Sequence, residues 1–512
     1  MVKDLRKTLG KLLVRTASQS STGPVAHINT MRTTAIDILP DDVLLQIFEF
    51  CRVGHIPLRS PFPPILEWRR LVQVCRKWRQ LIFSSPRRLD LYLFCTCGTP
   101  VRKSPGLWPA FPIVIDYINH LYFVKCNLKS LSSNDEKNVN ATLEHPDRIC
   151  YIKLPVTTSL LKHVAQPFPI LTHLWLSADP ESGPVLPSSF LGGSAQCLQE
   201  MYLEGIAFPS LSAFLSSASD LVSISLHRMP HAWYISPEVV ASLAALTRLD
   251  FLSIGFQPPT FRGQSSSRRE EAPLTRVVFP ALTFLGLQGT GEYVEDFMAQ
   301  IDTPRLAAIQ IKYSNQHDFQ VTQLSRLIGQ TQIIEQAHTM GAGVHFYPSS
   351  SFVFISALSP GPVENRRISL YIGVSCQACE GLIASQVSHL ADALSQTSVV
   401  LSKVRHLSLY ARTLQPGWQN NMDHAVWLEF VRQFTSVESL RVCDPISGHV
   451  ADALKDVTAE MAPEILPALH LLHLADKPEG SVEGFIAARQ RCGLSPITIA
   501  NTESEFLRIR YY

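Results

Sequence analysis

A three-residue aliphatic pattern recurs along the chain and restricts its fold more than any other sequence feature. Two residues separate the first aliphatic from the second, and one residue separates the second from the third. The copies are Ile149-Ile152-Leu154, Leu171-Leu174-Leu176, Leu198-Met201-Leu203, Leu221-Ile224-Leu226, Leu249-Leu252-Ile254, Leu282-Leu285-Leu287, Leu306-Ile309-Ile311, Val404-Leu407-Leu409, Val437-Leu440-Val442 and Leu469-Leu472-Leu474. They begin 22, 27, 23, 28, 33, 24, 98, 33 and 32 residues apart. Such spacing predicts short strands that bury one face.

Helical patterns lie between many of these predicted strands. They cover Pro237 to Leu246, Val294 to Ile301, Val321 to Ile328, Leu382 to Leu394, Val426 to Phe434 and Val450 to Met461. Strand and helix alternation at this period is typical of a leucine-rich-repeat-type solenoid, in which each unit buries its aliphatics against its neighbours. We therefore predict an α/β fold, with an irregular leucine-rich-repeat-like curved solenoid and a parallel sheet over residues 87–512.

Two features predict that this array is irregular. Leucine-rich repeats place Asn or Cys three residues after the last strand aliphatic, and this chain has other residues there. The replacements are Asp179, Ile206, Met229 and Thr290. The long interval between Leu306 and Val404 is filled only partly by strand-like segments at Phe352 to Ile355 and Ile368 to Ile372. The number and register of repeats between residues 312 and 403 therefore stay open.

Residues between the strand aliphatics are expected to point away from the buried face, because neighbouring strand residues point to opposite sides. Aromatic side chains at such positions suit a protein-recognition surface, since they bury a large area at a low cost in conformational entropy. The predicted target-binding residues are Trp175, Tyr202, Phe251, Phe284 and Arg405. The alternative is that loops of the chain itself, such as Gln257 to Pro273, cover this face.

Residues 36–86 have a helical pattern instead. Pro40 has the fixed φ of a first helical turn, and Asp41 and Asp42 place negative charge at the positive end of the helix dipole. The apolar stripe from Val43 to Cys51 is wider than packing against one neighbour requires, so we expect part of it to face a partner.

A second amphipathic segment, with basic residues between its apolar positions, runs from Trp68 to Ile82 and is predicted to break near Val74. Periodicity alone is also satisfied by an ordinary helical subdomain with a solvated basic face. The two helical segments therefore predict a small module but do not identify its partner.

The residues of this stretch resemble an F-box. Leu39-Pro40 precede the first helix, Leu44, Ile47 and Phe48 follow on it, and Val74-Cys75-Arg76-Lys77-Trp78 ends the motif. The segments Phe94 to Lys103 and Trp108 to Tyr117 are similar to the continuation in a large group of mushroom-type (basidiomycete) fungal F-box proteins.

The F-box resemblance implies a module that docks onto a Skp-type adaptor and, through it, onto the cullin scaffold of an SCF-type ubiquitin ligase. The implied adaptor-binding residues are Leu39, Pro40, Leu44, Ile47, Phe48, Val74 and Trp78. We expect a substrate-recognition subunit whose solenoid binds a target protein. The alternative is a non-catalytic scaffold or recognition protein that binds the adaptor without ligase function.

Composition excludes several other function classes. The chain has 45 basic and 43 acidic residues, so its net charge of +2 does not indicate a nucleic-acid partner. Its 11 cysteines lack the density of a secreted disulfide scaffold and are expected to be reduced. No apolar run approaches the roughly 18 residues that span a membrane. A cytoplasmic or nuclear protein is therefore expected.

Chemistry-bearing motifs are few. No nucleophile, base and orienting acid form a set, so we expect no catalytic site, no cofactor and no enzyme activity. Cys376-x-x-Cys379, with His389 ten residues later, is the only metal-like spacing, and it lacks the second ligand pair of a structural zinc site. Residues 1–35 are predicted to be a flexible basic tail, with a mitochondrial presequence or a membrane-surface helix as alternatives.

Overall fold

The structure of the protein is a computed structural model. It describes residues 39–51, 71–85, 89, 91–97, 111–118, 131–156, 158–179, 183–229, 236–256, 276–314, 322–330, 340–347, 350–357, 368–375, 383–395, 397–411, 424–443, 445–475 and 482–500. The predicted basic tail 1–35, the loop 257–273 and the Cys376/Cys379 pair lie outside these residues. The chain divides into two compact units, Met1–Leu154 and Pro155–Tyr512.

The first unit combines helices with a short parallel sheet. Its helices are α1 (Asp41–Cys51), α2 (Arg76–Ser84) and α3 (Ser133–Leu143), followed by a 3-10 turn at Pro146–Arg148. Its strands are β1 (Leu93–Cys95), β2 (Ile113–Asp116) and β3 (Ile149–Pro155), which pair in that order and in parallel. The predicted break before the second helix is confirmed, because Cys75 is extended and caps α2.

A buried polar cluster joins α3 to the strands of this unit. The side-chain amide of Asn138 donates to the Tyr117 hydroxyl at 2.6 Å and to the Cys95 sulfur at 3.4 Å. The Thr142 hydroxyl lies 3.2 Å from the same sulfur. Burial raises the pKa of Tyr117, so this phenol stays neutral. The cluster satisfies polar groups that burial would otherwise destabilise.

The second unit alternates strands and helices. Its helices are α4 (Thr158–Leu161), α5 (Leu211–Ser217), α6 (Pro237–Ala244), α7 (Gly291–Ala299), α8 (Thr322–Gln330), α9 (Ile383–Ser395), α10 (Ser398–Leu401), α11 (His424–Arg432), α12 (Ser447–Lys455) and α13 (Glu483–Arg491), with 3-10 turns at His163–Ala165 and Phe190–Gly193. Its strands are β4 (His173–Ser177), β5 (Glu200–Glu204), β6 (Ser223–Met229), β7 (Phe251–Phe256), β8 (Val277–Val278), β9 (Phe284–Gly289), β10 (Ile301–Asp302), β11 (Ala308–Ser314), β12 (Met340–Tyr347), β13 (Ser350–Ala357), β14 (Ile368–Ser375), β15 (Val404–Ala411), β16 (Ser439–Val442), β17 (Leu471–Leu474) and β18 (Thr498–Ile499). The mixed α/β prediction is confirmed.

The strands of the second unit form a large sheet in the order β4-β5-β6-β7-β9-β11-β14-β13-β12-β15-β16-β17-β18, and β8 and β10 form a separate pair. Every aliphatic residue of the ten sequence copies is buried except Leu474, which is half-buried. The pattern therefore marks buried positions, and the spacing of two between its second and third aliphatics fits the alternation of side chains along a strand.

A hydrogen-bond arrangement repeats at the start of many strands. The two residues that directly follow the first aliphatic of one motif both donate their backbone N–H groups to one carbonyl. That carbonyl belongs to the residue directly after the first aliphatic of a preceding motif. The acceptors are Thr172, Gln199, Val222, Asp250, Thr283 and Glu438, and the donor pairs in the same order are Gln199/Glu200, Val222/Ser223, Asp250/Phe251, Thr283/Phe284, Ala307/Ala308 and His470/Leu471. This shared bonding keeps successive motifs in one register.

The sheet is not entirely parallel, and the prediction of a parallel sheet is wrong in the stretch between residues 312 and 403. Strand β13 pairs antiparallel with both β12 and β14. Only residues 348–349 separate β12 from β13, and so short a link can join only antiparallel strands. The strand-like segments predicted at Phe352 to Ile355 and Ile368 to Ile372 lie within β13 and β14.

Candidate protein-interaction surfaces

Helices α1 and α2 pack through large apolar side chains. The rings of Phe48 and Trp78 meet edge to face with centroids 4.7 Å apart, and both residues are buried. Leu44 on α1 and Ile82 on α2 are also buried and have no exposed surface. The buried side of α1 therefore carries Leu44 and Phe48.

Polar bonds hold the first turns of the two helices together. The Trp78 backbone N–H donates to the Cys75 sulfur at 3.4 Å, which caps α2. The Lys77 ammonium donates to the Leu39 carbonyl at 3.4 Å and lies 3.3 Å from the Asp41 carboxylate. Because one side chain bonds to the residues at the start of α1, the starts of both helices lie close together.

Some apolar residues at the start of α1 and along it stay outside this core. Pro40 is exposed, Val43 keeps 37% of its surface and Ile47 is half-buried. These residues, spaced by three and then four positions, share one side of the helix, and we call them the α1 strip. Val74 is 43% exposed and comes two residues before α2.

The seven predicted adaptor-binding residues therefore divide into two groups. Leu44, Phe48 and Trp78 lie in the core of the helix pair. Leu39, Pro40, Ile47 and Val74 keep exposed surface. Val43 was absent from the predicted set, although its spacing from Pro40 and Ile47 could have identified it.

A comparison with family models assigns this stretch. A family described as F-box-like matches residues 36–90. The chain carries an F-box-like domain. The match covers α1 and α2 and includes all seven predicted adaptor-binding residues. No curated protein matches the chain.

Outside the F-box-like domain, the strands of the second unit carry aromatic residues opposite their aliphatic face. Trp175 on β4 stacks on Tyr202 on β5 with ring centroids 3.9 Å apart. Phe251 on β7 stacks on Phe284 on β9 with centroids 4.3 Å apart and an interplanar angle of 2°. The structure thus brings four of the five predicted target-binding residues together as two pairs.

Charged groups surround the Trp175 and Tyr202 pair. The Tyr202 hydroxyl donates to Glu204 at 3.2 Å, and Arg228 lies 3.3 Å from the same carboxylate. Arg228 has φ of 50°, a left-handed conformation at a bulge in β6, which places its side chain beside Glu204. Burial lowers the pKa of the neighbouring His227, so its imidazole is neutral at physiological pH.

Arg405, the fifth predicted residue, lies elsewhere. It lies near the start of β15, at the register shift between β15 and β12. Its guanidinium is 3.2 Å from the Glu438 carboxylate. Four strands lie between β9, which carries Phe284, and β15 in the sheet order. Arg405 is therefore not part of either aromatic pair.

A longer row of rings was missing from the predicted site. Tyr371, Phe352, His345 and Tyr410 lie on β14, β13, β12 and β15, which are neighbours in the sheet. Successive ring centroids are 5.1, 5.0 and 4.8 Å apart. We call these four residues the ring row. Its members come from distant positions in the chain, so only strand order could reveal it.

The ring row is neutral at physiological pH. Burial lowers the pKa of His345 to about 4 and raises that of Tyr371 to about 12. Burial also raises the pKa of Tyr410. The four rings are half-buried, so each keeps part of its surface available.

Reactive chemistry is sparse in the part of the chain that the structure describes. No group of three or more His, Cys, Asp or Glu side chains within the described residues is arranged to hold a metal ion. Among the helices in these residues, none is long and apolar enough to cross a membrane.

Proposed function

We propose that this protein is a substrate-recognition subunit of an SCF-type cullin-RING ubiquitin ligase. The F-box-like domain docks onto a Skp-type adaptor, and the strand array of the second unit holds a target protein. The observation that carries the proposal is the F-box-like match to residues 36–90. Ubiquitin transfer is then the work of other subunits, and this chain is not an enzyme.

The α1 strip supports adaptor docking. Apolar residues on a helix surface favour a protein partner when they form one contiguous side, because their burial removes that area from water. Pro40, Val43 and Ile47 form such a side, and Leu39 and Val74, which lie near the starts of the two helices, also keep exposed surface. Leu44, Phe48 and Trp78 hold the helices in the geometry that presents it.

The second unit supports the target-binding role. Its repeated strand starts and buried aliphatic positions fit an irregular leucine-rich-repeat-like array, for which we retain the curved solenoid of the sequence-based prediction. Its aromatic pairs provide half-buried rings of the kind that anchor protein interfaces. We also propose membership of the mushroom-type fungal F-box proteins, which the similarity of the flanking segments supports, and action in the cytoplasm or nucleus.

Binding to a purified Skp-type adaptor tests the docking proposal. A Val43→Asp, Ile47→Asp variant places two charges in the α1 strip and is expected to weaken binding by about a hundredfold, since each buried unpaired charge costs well over 1 kcal/mol. Gln80→Asp adds a charge at an exposed position of α2 and serves as the control. Equal adaptor affinity for the wild type and the double variant would reject this docking face.

A second candidate is a scaffold that binds the adaptor but does not join a ligase. The separation of docking and target-binding residues between two compact units is compatible with it. Affinity purification distinguishes the two. A ligase subunit recovers the adaptor together with a cullin, whereas a scaffold recovers the adaptor alone.

A further inference from the structure

The ring row lies on the side of the sheet opposite the helices that pack on it. The hydroxyl of Ser351 on β13 bonds to the Gln386 carbonyl of α9, and the ring of Phe346 on β12 meets Trp427 of α11 at 5.5 Å. Adjacent strand residues point to opposite faces. The side chains of Phe352 and His345 therefore point away from α9 and α11.

Glycines make room for the rings. A Cβ at Gly373 would lie 3.1 Å from the Tyr371 ring, and one at Gly343 would lie 1.9 Å from Phe354. The ring of Tyr371 thus leans over Gly373, toward the position of Phe352 on the next strand. This arrangement closes the row into a continuous stack.

The stacking decides which part of each ring meets solvent. Neighbouring rings lie about one strand spacing apart, so their faces are turned to each other and their edges point outward. The edge of an aromatic ring is the positive end of its quadrupole. Edge-on rings favour contact with oxygen atoms such as the backbone carbonyls of a bound segment.

Charge on these strands has a single sign. None of the strands β11, β12, β13, β14, β15 and β16 contains Asp or Glu within its described bounds. Lys312 on β11 and Arg441 on β16 flank the ring row on either side in the sheet order. The stem of Lys312 lies over Gly373, 3.5 Å from where a Cβ would be, so it is on the ring face. The surface is apolar at its centre and basic at both ends.

We propose that the ring row, with Lys312 and Arg441, binds an extended target segment that has an apolar centre and acidic residues at both ends. The inference rests on the proposed function and specifies the class of target that the array recognises. Nucleic acid is disfavoured because its binding needs many cations, and this surface offers few.

The strand spacing sets the length of the segment. Lys312 and Arg441 are five strand spacings apart, or about 24 Å at ~4.8 Å per strand. An extended chain rises about 3.3 Å per residue, so the two acidic ends are separated by about seven residues.

Fluorescence anisotropy with labelled peptides and the full-length chain tests this inference. The probe is Asp-Asp-Ser-Phe-Leu-Phe-Ser-Asp-Asp, and its counterpart carries Lys in place of each Asp. The wild type is expected to bind the acidic peptide about tenfold more tightly, and a Lys312→Glu, Arg441→Glu variant is expected to reverse this preference. A Lys162→Glu, Arg491→Glu variant makes the same charge change at exposed positions elsewhere and should retain it.

A reversal of preference cannot arise from misfolding, because an unfolded variant binds neither peptide selectively. The inference is overturned if wild type shows no preference, if the charge-reversed variant behaves as wild type, or if decathymidine binds more tightly than the acidic peptide. Adaptor affinity is measured on the same samples. If the wild type binds the adaptor but shows no peptide preference, this inference alone is rejected. If the wild type does not bind the adaptor, the proposed function is rejected.

Discussion

The ring of Trp78 on α2 meets the ring of Phe48 on α1 edge to face, with 4.7 Å between centroids, and both side chains are buried. This contact joins two residues that the F-box resemblance assigned to adaptor binding. In the isolated chain they bind each other instead. Their effect on adaptor binding is therefore expected to pass through the stability of the helix pair.

Truncation of Trp78 tests that distinction. Trp78→Ala removes the largest side chain of the pair and is expected to destabilise it by about 3 to 5 kcal/mol. Hydrogen exchange of the amides in Asp41–Cys51 and Arg76–Ser84 should accelerate accordingly. Gln80→Ala, at an exposed site of the same helix, should leave exchange unchanged. Unaltered exchange in Trp78→Ala would mean that Trp78 does not support the pair.

Gly343 lies beneath the ring of Phe354, where a Cβ would be 1.9 Å from the ring. Gly343→Ala is expected to destabilise the second unit by about 1 to 3 kcal/mol, because the ring must move within a packed face. Gly329→Ala, on an exposed helical site with open space around it, should be neutral or stabilise by up to about 1 kcal/mol. Chemical denaturation of both variants measures the difference. Equal denaturation midpoints would contradict the predicted cost of a Cβ at Gly343.

The burial of His345 is expected to make the stability of the protein depend on pH. Its pKa is lowered to about 4 by burial, whereas the unfolded chain keeps an ordinary histidine pKa near 6.5. The unfolded state therefore binds the proton first. The contribution of His345 to the stability of the fold is present above about pH 6.5 and is lost as pH falls toward 4. We expect a loss of about 2 kcal/mol, allowing for partial exposure.

The comparison variant for this effect is His345→Phe, which keeps a ring in the row but cannot titrate. Denaturation midpoints of both proteins at pH 7, 5 and 4 measure the difference. The gap between wild type and variant should widen as pH decreases. A constant gap would show that His345 does not contribute.

Arg489 on α13 is buried and bonds to the chain before β17. Its guanidinium donates to the carbonyls of Leu466, Pro467 and Leu469 at 2.7, 3.1 and 2.8 Å. Arg489→Met leaves these acceptors without that donor and is expected to destabilise the second unit by about 2 kcal/mol. Arg491→Met, exposed on the same helix, should have little effect. Matching denaturation curves for the two variants would refute the role of Arg489.

The aliphatic positions of the strands could be predicted because their spacing is local. Residues such as Leu174 and Leu176 are buried wherever their strand lies in a sheet, since alternate side chains share one face. The break before α2 was also predictable, as the apolar period changes near Val74. The F-box resemblance rested on residue types in order, and the match to residues 36–90 confirms it.

The exposed part of α1 could not be predicted in the same way. Pro40, Val43, Leu44 and Phe48 are all suitable for burial by residue type. The position of Trp78 decides that Leu44 and Phe48 are buried while Val43 stays exposed. Docking residues cannot be separated from core residues until the partner helix is in place.

Strand order is the other property that depended on the folded molecule. Hydrophobic spacing identified most strands of the second unit and their buried faces, because both follow from neighbouring residues, but it missed β8, β10, β12 and β18. It did not reveal that β13 turns antiparallel between β12 and β14, or that His345, Phe352, Tyr371 and Tyr410 stack across four strands. Those features arise from pairing between residues far apart in the chain, and long-range pairing leaves no periodic signal in the sequence.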